Sequence, residues 1–264
     1  MSNHIHTSSS ESLSSTTLLS LSQRPNPDSP VSLFQGLSED NLQNLLSNST
    51  VRSVEQGREI IQQGDEVNYL YFIVEGSVKT LRSSAEGDEA TIRMLKAGDT
   101  FMDAVIFMGG TSPIRATALK PSKLLMIPAQ VIRQQVLRDG QLGENLLHIV
   151  TWHYKNAMQQ IDSIVTKTPV ERLGYYFLKL HMDQNPDSLD IELPFQKSMI
   201  ANHLGMKPET FSRALKKLKE MGIDVDNEKI SMREAYSLCH FCDPDTAYTC
   251  PKHGTPDCKP DGCR

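Results

Sequence analysis

The sequence predicts an α+β chain in three parts: a roll of short antiparallel strands, one long helix, and a small helical unit closed by a β-hairpin. Three observations carry this expectation. Short β-like runs fill residues 51–127 and are separated by Gly-containing turns. Apolar residues then recur at steps of three and four from Leu142 to Ile164. Residues 193–219 read as two short helices about a glycine, and residues 223–232 read as a hairpin.

The 264 residues are enough for one large or two ordinary domains. No run of eighteen apolar residues exists, which excludes a membrane-spanning helix. The first residues lack the basic start and apolar core of a signal peptide, so a cytoplasmic location and no membrane partner are expected. Residues 1–30 are rich in Ser, Thr and Pro and lack apolar periodicity. They read as a disordered tail, with His4 and His6 as solvated residues within it.

A short helix follows, with Ser38 as N-cap and Leu42, Leu45 and Leu46 on one face. The β-like runs are residues 51–54, 59–62, 69–74, 77–82, 90–95, 116–119 and 122–127. Gly57, Gly64-Asp65, Glu75-Gly76, Gly87-Asp88 and Gly98-Asp99 stand between them as turns. Residues 31–138 form the expected roll. Residues 139–167 form the expected long helix, whose stripe is Leu142, Leu146, Ile149, His153, Ala157, Ile161 and Ile164. Such a stripe is a seam for a second copy of the chain, with His153 as a polar register point. Thr168-Pro169 marks the end of this helix or the opening of the next.

Residues 168–236 carry a helix over 170–182, a short strand over 187–193, two helices and a hairpin turning at Asp226-Asn227. Met199, Ile200 and Leu204 point inward from the first helix of the pair, and Phe211, Leu215 and Leu218 from the second. Gly205 supplies the left-handed end and Pro208 the first helical position. Glu209, Ser212, Arg213 and Lys216 are left on the opposite face, which makes this a winged helix-turn-helix whose second helix enters a DNA major groove. Arg213 suits guanine O6/N7, and Glu209 suits cytosine N4. The whole chain has a net charge of −5, yet residues 196–220 hold six cations (Lys197, Lys207, Arg213, Lys216, Lys217, Lys219) against Glu209 and Glu220. A basic face on an acidic protein fits one-sided phosphate contact. Lys197, Lys207, Glu209, Thr210, Ser212, Arg213, Lys216 and Lys217 are the candidate DNA contacts.

Here the chain resembles the Crp/Fnr superfamily of bacterial transcription regulators. The resemblance runs from residue 31 to about residue 235 and rests on Glu209-Thr210-Phe211-Ser212-Arg213, the glycine-punctuated roll, the long helix and the wing, in family order. It implies an N-terminal cyclic-nucleotide-binding-like β-roll, a dimerisation helix and a C-terminal winged helix-turn-helix. It further implies a homodimer on a pseudo-palindromic DNA site, with half-sites of the TTGAT type read by Glu209, Ser212 and Arg213, and RNA polymerase as a partner.

The same resemblance places an effector pocket at Met102, Asp103, Ala104, Arg115, Ala116 and Thr117. Members that bind cyclic AMP hold the ribose with Gly-Glu and the phosphate with Arg-Ser-Ala. Here Phe101-Met102-Asp103-Ala104 and Arg115-Ala116-Thr117 stand instead, which argues against cyclic AMP. Residues 98–108 look closer to the nitric-oxide-responsive regulators of denitrification, and that likeness brings in haem, with His148, His153 and His181 as axial candidates.

All five cysteines lie in residues 237–264: Cys239, Cys242, Cys250, Cys258 and Cys263. Cys-x2-Cys is a chelating bite, and two further thiolates complete four ligands for zinc or an iron–sulfur cluster, with His240 and His253 as substitutes. Free or redox-reactive thiols are the other reading. No phosphate-cradling Gly loop or nucleophile elbow is present, so no enzyme is expected. Two functions stay open: a regulator answering oxygen or nitric oxide, and a constitutive DNA-binding repressor with a vestigial pocket and a structural zinc tail.

Overall fold

The computed structural model describes residues 31–83, 89–234, 236–248, 250–255 and 258. The expected tail over residues 1–30, the Gly87-Asp88 turn and Cys263 lie outside them. The chain falls into two compact units that divide between Asn156 and Ala157.

In the first unit, Ser38 accepts a hydrogen bond from the Asn41 N–H and opens α1 (Glu39–Ser47), which buries Leu42 and Leu45. Two antiparallel four-stranded sheets follow. One has the order β1-β8-β3-β6: β1 (Thr50–Val54), β8 (Ser122–Pro128), β3 (Tyr69–Glu75) and β6 (Thr100–Phe101). The other has the order β2-β7-β4-β5: β2 (Glu59–Ile61), β7 (Arg115–Ala118), β4 (Ser77–Ser83) and β5 (Glu89–Lys96). β3 is buried on both faces from Leu70 to Val74, and so it reads as a continuous apolar run rather than an alternating one. Phe34 packs edge-on against Phe72 at 4.9 Å, and Tyr71 stacks on Phe101 at 4.6 Å. Each such ring removed from water contributes about 1.5–3 kcal/mol.

Gly76, at φ 91, turns the chain from β3 into β4. A Cβ there would lie 2.5 Å from the Pro121 carbonyl oxygen, so this position admits only glycine.

Two short helices inside the roll have no counterpart in the sequence reading: α2 (Val105–Met108) and α3 (Ala129–Arg138). The first is a single turn. The second buries Ala129, Ile132 and Gln135, a pattern too short and too polar to stand out from its surroundings.

α4 runs from Gly140 to Thr166. Its expected stripe splits in two. Leu142, Leu146 and Ile149 are buried in the roll's own core, whereas Ala157, Ile161 and Ile164 are exposed. A different row is exposed along the helix: Leu147, Thr151, Tyr154, Met158, Ile161 and Val165. These residues follow each other at alternating steps of four and three, the spacing of a coiled-coil seam. His153, read as a register point, is half-buried and engaged with Asp103 within the first unit instead.

The second unit opens with α5 (Pro169–Gln184), started by a capping box between Thr168 and Glu171. β9 (Asp190–Glu192), β10 (Ile223–Asp226) and β11 (Lys229–Met232) form an antiparallel sheet in the order β10-β11-β9. Asp226 pairs with Lys229, which places the wing's turn at Asn227-Glu228, one residue beyond the expected pair, with Asn227 at φ 48. α7 (Pro208–Glu220) packs on α5, on β10 and on α6 (Lys197–His203). Among the described residues no helix is long and apolar enough to cross a membrane.

Candidate nucleic-acid interface and sensor site

α6 ends at His203 with Leu204 as its C-cap, and Gly205 follows in the left-handed region at φ 64. The Gly205 N–H donates to the Asn202 carbonyl at 3.1 Å, and the Met206 N–H to the Ala201 carbonyl at 2.8 Å. These are the paired bonds of a Schellman end, and Met206 is buried beside them. The turn is thus fixed before α7 begins. Pro208 takes the first helical position of α7, where its missing N–H removes no bond.

Phe211, Ala214 and Leu218 are buried and Leu215 is half-buried, so one face of α7 belongs to the core. Glu209, Ser212, Arg213 and Lys216 occupy the other face at i, i+3, i+4 and i+7, and all four are exposed. None of their side chains makes a hydrogen bond or ion pair among the described residues. Lys207 and Lys217 are exposed nearby, and Thr210 is half-buried. Lys197 is occupied differently: its Nζ donates to the Val225 carbonyl at 3.1 Å and braces the wing. Lys219, on the last turn of α7, pairs with Asp224 at 2.8 Å. The wing itself is acidic, with Asp224, Asp226 and Glu228 against Lys229.

In the roll, the positions aligned with a nucleotide site are already engaged. The Arg115 guanidinium pairs with Glu89 and lies 3.4 Å from Glu59. Asp103 is buried and accepts hydrogen bonds from Thr100 Oγ1 at 2.9 Å and the Ala104 N–H at 2.8 Å. Its Oδ2 also lies 3.0 Å from His153 Nε2 on α4. Burial pushes the Asp103 carboxyl up, but the His153 bond and charge, the Arg93 charge and the Thr100 bond outweigh it. The net displacement is downward. Met102, which stands where a glycine is expected, adopts φ 67 and is buried. The backbone there keeps a glycine-like conformation while carrying a large side chain. Ala116 is buried and Thr117 half-buried on β7. Glu59 and Glu89 escaped the sequence reading because their contacts with Arg115 are long-range, and no local spacing announces them.

The three histidines considered for haem are each engaged locally. His148 is exposed, 3.9 Å from Glu144. His153 is engaged with Asp103. His181 is buried in the second unit and bonds the Ser188 carbonyl at 2.8 Å. Burial lowers its pKa, which keeps it neutral and donating to that carbonyl.

The cysteine-bearing end folds onto α5. Leu238, Phe241 and Ala247 are buried, and Leu238 and Phe241 belong to the core of the second unit. The Phe241 ring lies so close to Gly174 that a Cβ there would come within 2.4 Å of it. Tyr175 Oη and Thr246 Oγ1 share a hydrogen bond of 2.9 Å, and Lys167 Nζ lies 3.4 Å from Asp243. Cys239, Cys242, Cys250 and Cys258 are half-buried and form no disulfide among the described residues. Among the described residues no three His, Cys, Asp or Glu side chains gather as metal ligands, and Cys263 of the expected set lies outside those residues.

Comparison with known proteins agrees with both units. Residues 51–139 match the cyclic nucleotide-binding domain, and residues 171–240 match the Crp-like helix-turn-helix domain. The fumarate and nitrate reduction regulatory protein of Vibrio cholerae is 27% identical over 176 residues, covering 65% of this chain and 70% of that protein. The cyclic AMP receptor protein of Thermus thermophilus is 27% identical over 207 residues, covering 78% and 94%. The structure of FixK2 from Bradyrhizobium japonicum shares the fold at a TM-score of 0.63 and 21% identity, covering 72% of this chain and 95% of that one.

Proposed function

The chain belongs to the Crp/Fnr superfamily of transcription regulators, and on that premise we propose that it is a homodimer reading a pseudo-palindromic, TTGAT-type DNA site in response to a redox or gas signal. The relatives are regulators that bind DNA, not enzymes. The observation that carries the reading is the face of α7: four polar side chains in one row, exposed and without partners among the described residues.

Each residue on that face has a role. Arg213 reaches guanine O6/N7 and Glu209 accepts from cytosine N4, with Ser212 between them. Lys207, Lys216 and Lys217 meet phosphates and supply most of the affinity. The acidic wing repels phosphates, so backbone contact concentrates on α7. The exposed row from Leu147 to Val165 supports the dimer, since a second copy of the same row covers it by coiled-coil packing. Dimerisation spaces two copies of α7 for two half-sites. RNA polymerase is the expected partner of the DNA-bound dimer.

Cyclic AMP is disfavoured as the signal because its two anchoring positions are satisfied from within. A cyclic phosphate at Arg115 must displace Glu59 and Glu89, and a ribose at Asp103 must break the His153 bond. Oxygen and nitric oxide remain the signals to test, against the constitutive repressor as second reading.

The test of the DNA reading is a gel-shift competition between a duplex with two inverted TTGAT half-sites and a scrambled duplex. Arg213→Ala is expected to lose sequence preference by about 1–3 kcal/mol per half-site while staying folded and dimeric. Undiminished selection of the same duplex by that variant refutes the assignment.

A further inference from the structure

Arg172 lies where two helices end. The Thr168–Glu171 capping box diverts the backbone N–H groups that would continue α4 past Thr166: the Thr168 N–H goes to Glu171 Oε2 at 2.8 Å, and the Glu171 N–H to Thr168 Oγ1 at 3.4 Å. The carbonyls of Ile164 and Lys167 are thereby left without those partners. Arg172 fills the gap, since its Nη2 donates to Ile164 O at 3.2 Å and to Lys167 O at 3.3 Å. Its Nη1 turns the other way and donates to Leu204 O at 2.8 Å, the carbonyl that ends α6. One guanidinium therefore bridges the last turn of the long helix and the turn of the helix-turn-helix.

Gln160 makes the same connection one turn earlier, where its Nε2 donates to His203 O at 2.9 Å. All four bonds end on carbonyls at helix C-termini, where partial negative charge favours a cation. A planar fork can serve both helix ends at once, which a single ammonium cannot. The nearest atoms to a Cβ built on Gly205 are Arg172 Nη1 and Ile164 Cδ1, each at 3.9 Å, so the left-handed turn itself sits against this bridge.

We infer that Arg172, assisted by Gln160, is the positioning residue that makes the recognition helix α7 move as one body with the last turns of α4. The inference rests on the DNA-reading function proposed above and adds to it the contact that sets the distance and angle between two recognition helices in a dimer. Neither residue reaches DNA in this role. Both act through the turn that precedes α7.

The experiment compares the full-length chain with Arg172→Gln, Arg172→Lys and Gln160→Ala on two duplexes, one with two inverted TTGAT half-sites and one with a single half-site. Arg172→Gln is expected to lose about 10- to 100-fold on the two-site duplex, the effect of removing charge-assisted hydrogen bonds. Its affinity for the single half-site is expected to change less than about threefold, with sedimentation still dimeric. Arg172→Lys recovers part of the loss, because it keeps the charge between two helix ends without the fork. Gln160→Ala removes one neutral bond and is expected to lose about threefold to tenfold in the same pattern. It carries the test if Arg172→Gln misfolds. Equal losses on both duplexes reduce the contact to a structural one and overturn the inference, as does full two-site preference in both Arg172→Gln and Gln160→Ala. A wild-type chain that does not distinguish the duplexes instead overturns the DNA reading on which the inference rests.

Discussion

Replacing Asp103 by Asn tests whether the closed pocket of the roll is held by an ion pair. Asp103 is 5% exposed and accepts three hydrogen bonds, from Thr100, the Ala104 N–H and His153. The amide keeps one acceptor oxygen for the Ala104 N–H, but the other site becomes an NH2 group facing Thr100 and His153. It also removes one of the two counter-charges of Arg93, leaving Asp99. Removing one partner of a buried pair costs about 3–5 kcal/mol, and the retained acceptor places this case near the lower end, about 3 kcal/mol. With a urea dependence of about 2 kcal/mol per molar, the unfolding midpoint of the first unit falls by about 1.5 M. Trp152, the only tryptophan, adjoins His153 on α4 and reports the transition by fluorescence. The pH dependence has a definite sign. The folded Asp103 carboxyl lies below its ordinary value of 3.8, so its contribution is present above that value and is lost as pH falls through the lower folded one. The gap between wild type and Asp103→Asn therefore persists at neutral pH and closes in acid below about pH 4. A midpoint shift under about 0.3 M at pH 7 refutes the reasoning, because it means the carboxylate is not the pair's anchor.

Three further outcomes are expected. Phe241→Ala empties the hollow above Gly174 and lowers the stability of the second unit by about 3–5 kcal/mol, measured by hydrogen exchange along α5; protection equal to wild type contradicts the packing. Met158→Asp together with Ile161→Asp places charge in the exposed row of α4 and converts dimer to monomer in sedimentation, whereas an unchanged dimer locates the interface elsewhere. Cyclic AMP leaves operator affinity unchanged within about twofold, since Glu59 and Glu89 occupy Arg115; a tenfold response reverses the reading of the pocket.

Much of the fold is legible because its signals are local. Gly205 with Pro208 marks the turn and the start of α7 from neighbouring residues alone, and the Schellman end confirms why a glycine stands there. The strands are legible for the same reason, through glycines that turn the chain at positive φ. The exposed polar face of α7, proposed to read bases, follows from a 3.6-residue period, which needs no tertiary knowledge beyond which side is apolar.

What stayed hidden depends on partners distant in the chain. The stripe from Leu142 to Ile164 and the row from Leu147 to Val165 share the same period, and only the roll's core around Leu142, Leu146 and Ile149 shows which row stays exposed along the helix. Arg115 looks like a phosphate ligand until Glu59 and Glu89 arrive from β2 and β5 to neutralise it. The cysteine-rich end reads by spacing alone as a ligand set, and nothing local announces that Phe241 packs on Gly174 or that Thr246 bonds Tyr175. Periodicity and turn chemistry write helices, strands and the DNA-reading face into the chain one neighbour at a time. Which charges are spent internally, and which apolar row faces outward, are settled by long-range packing, because a side chain's role depends on what the fold brings beside it.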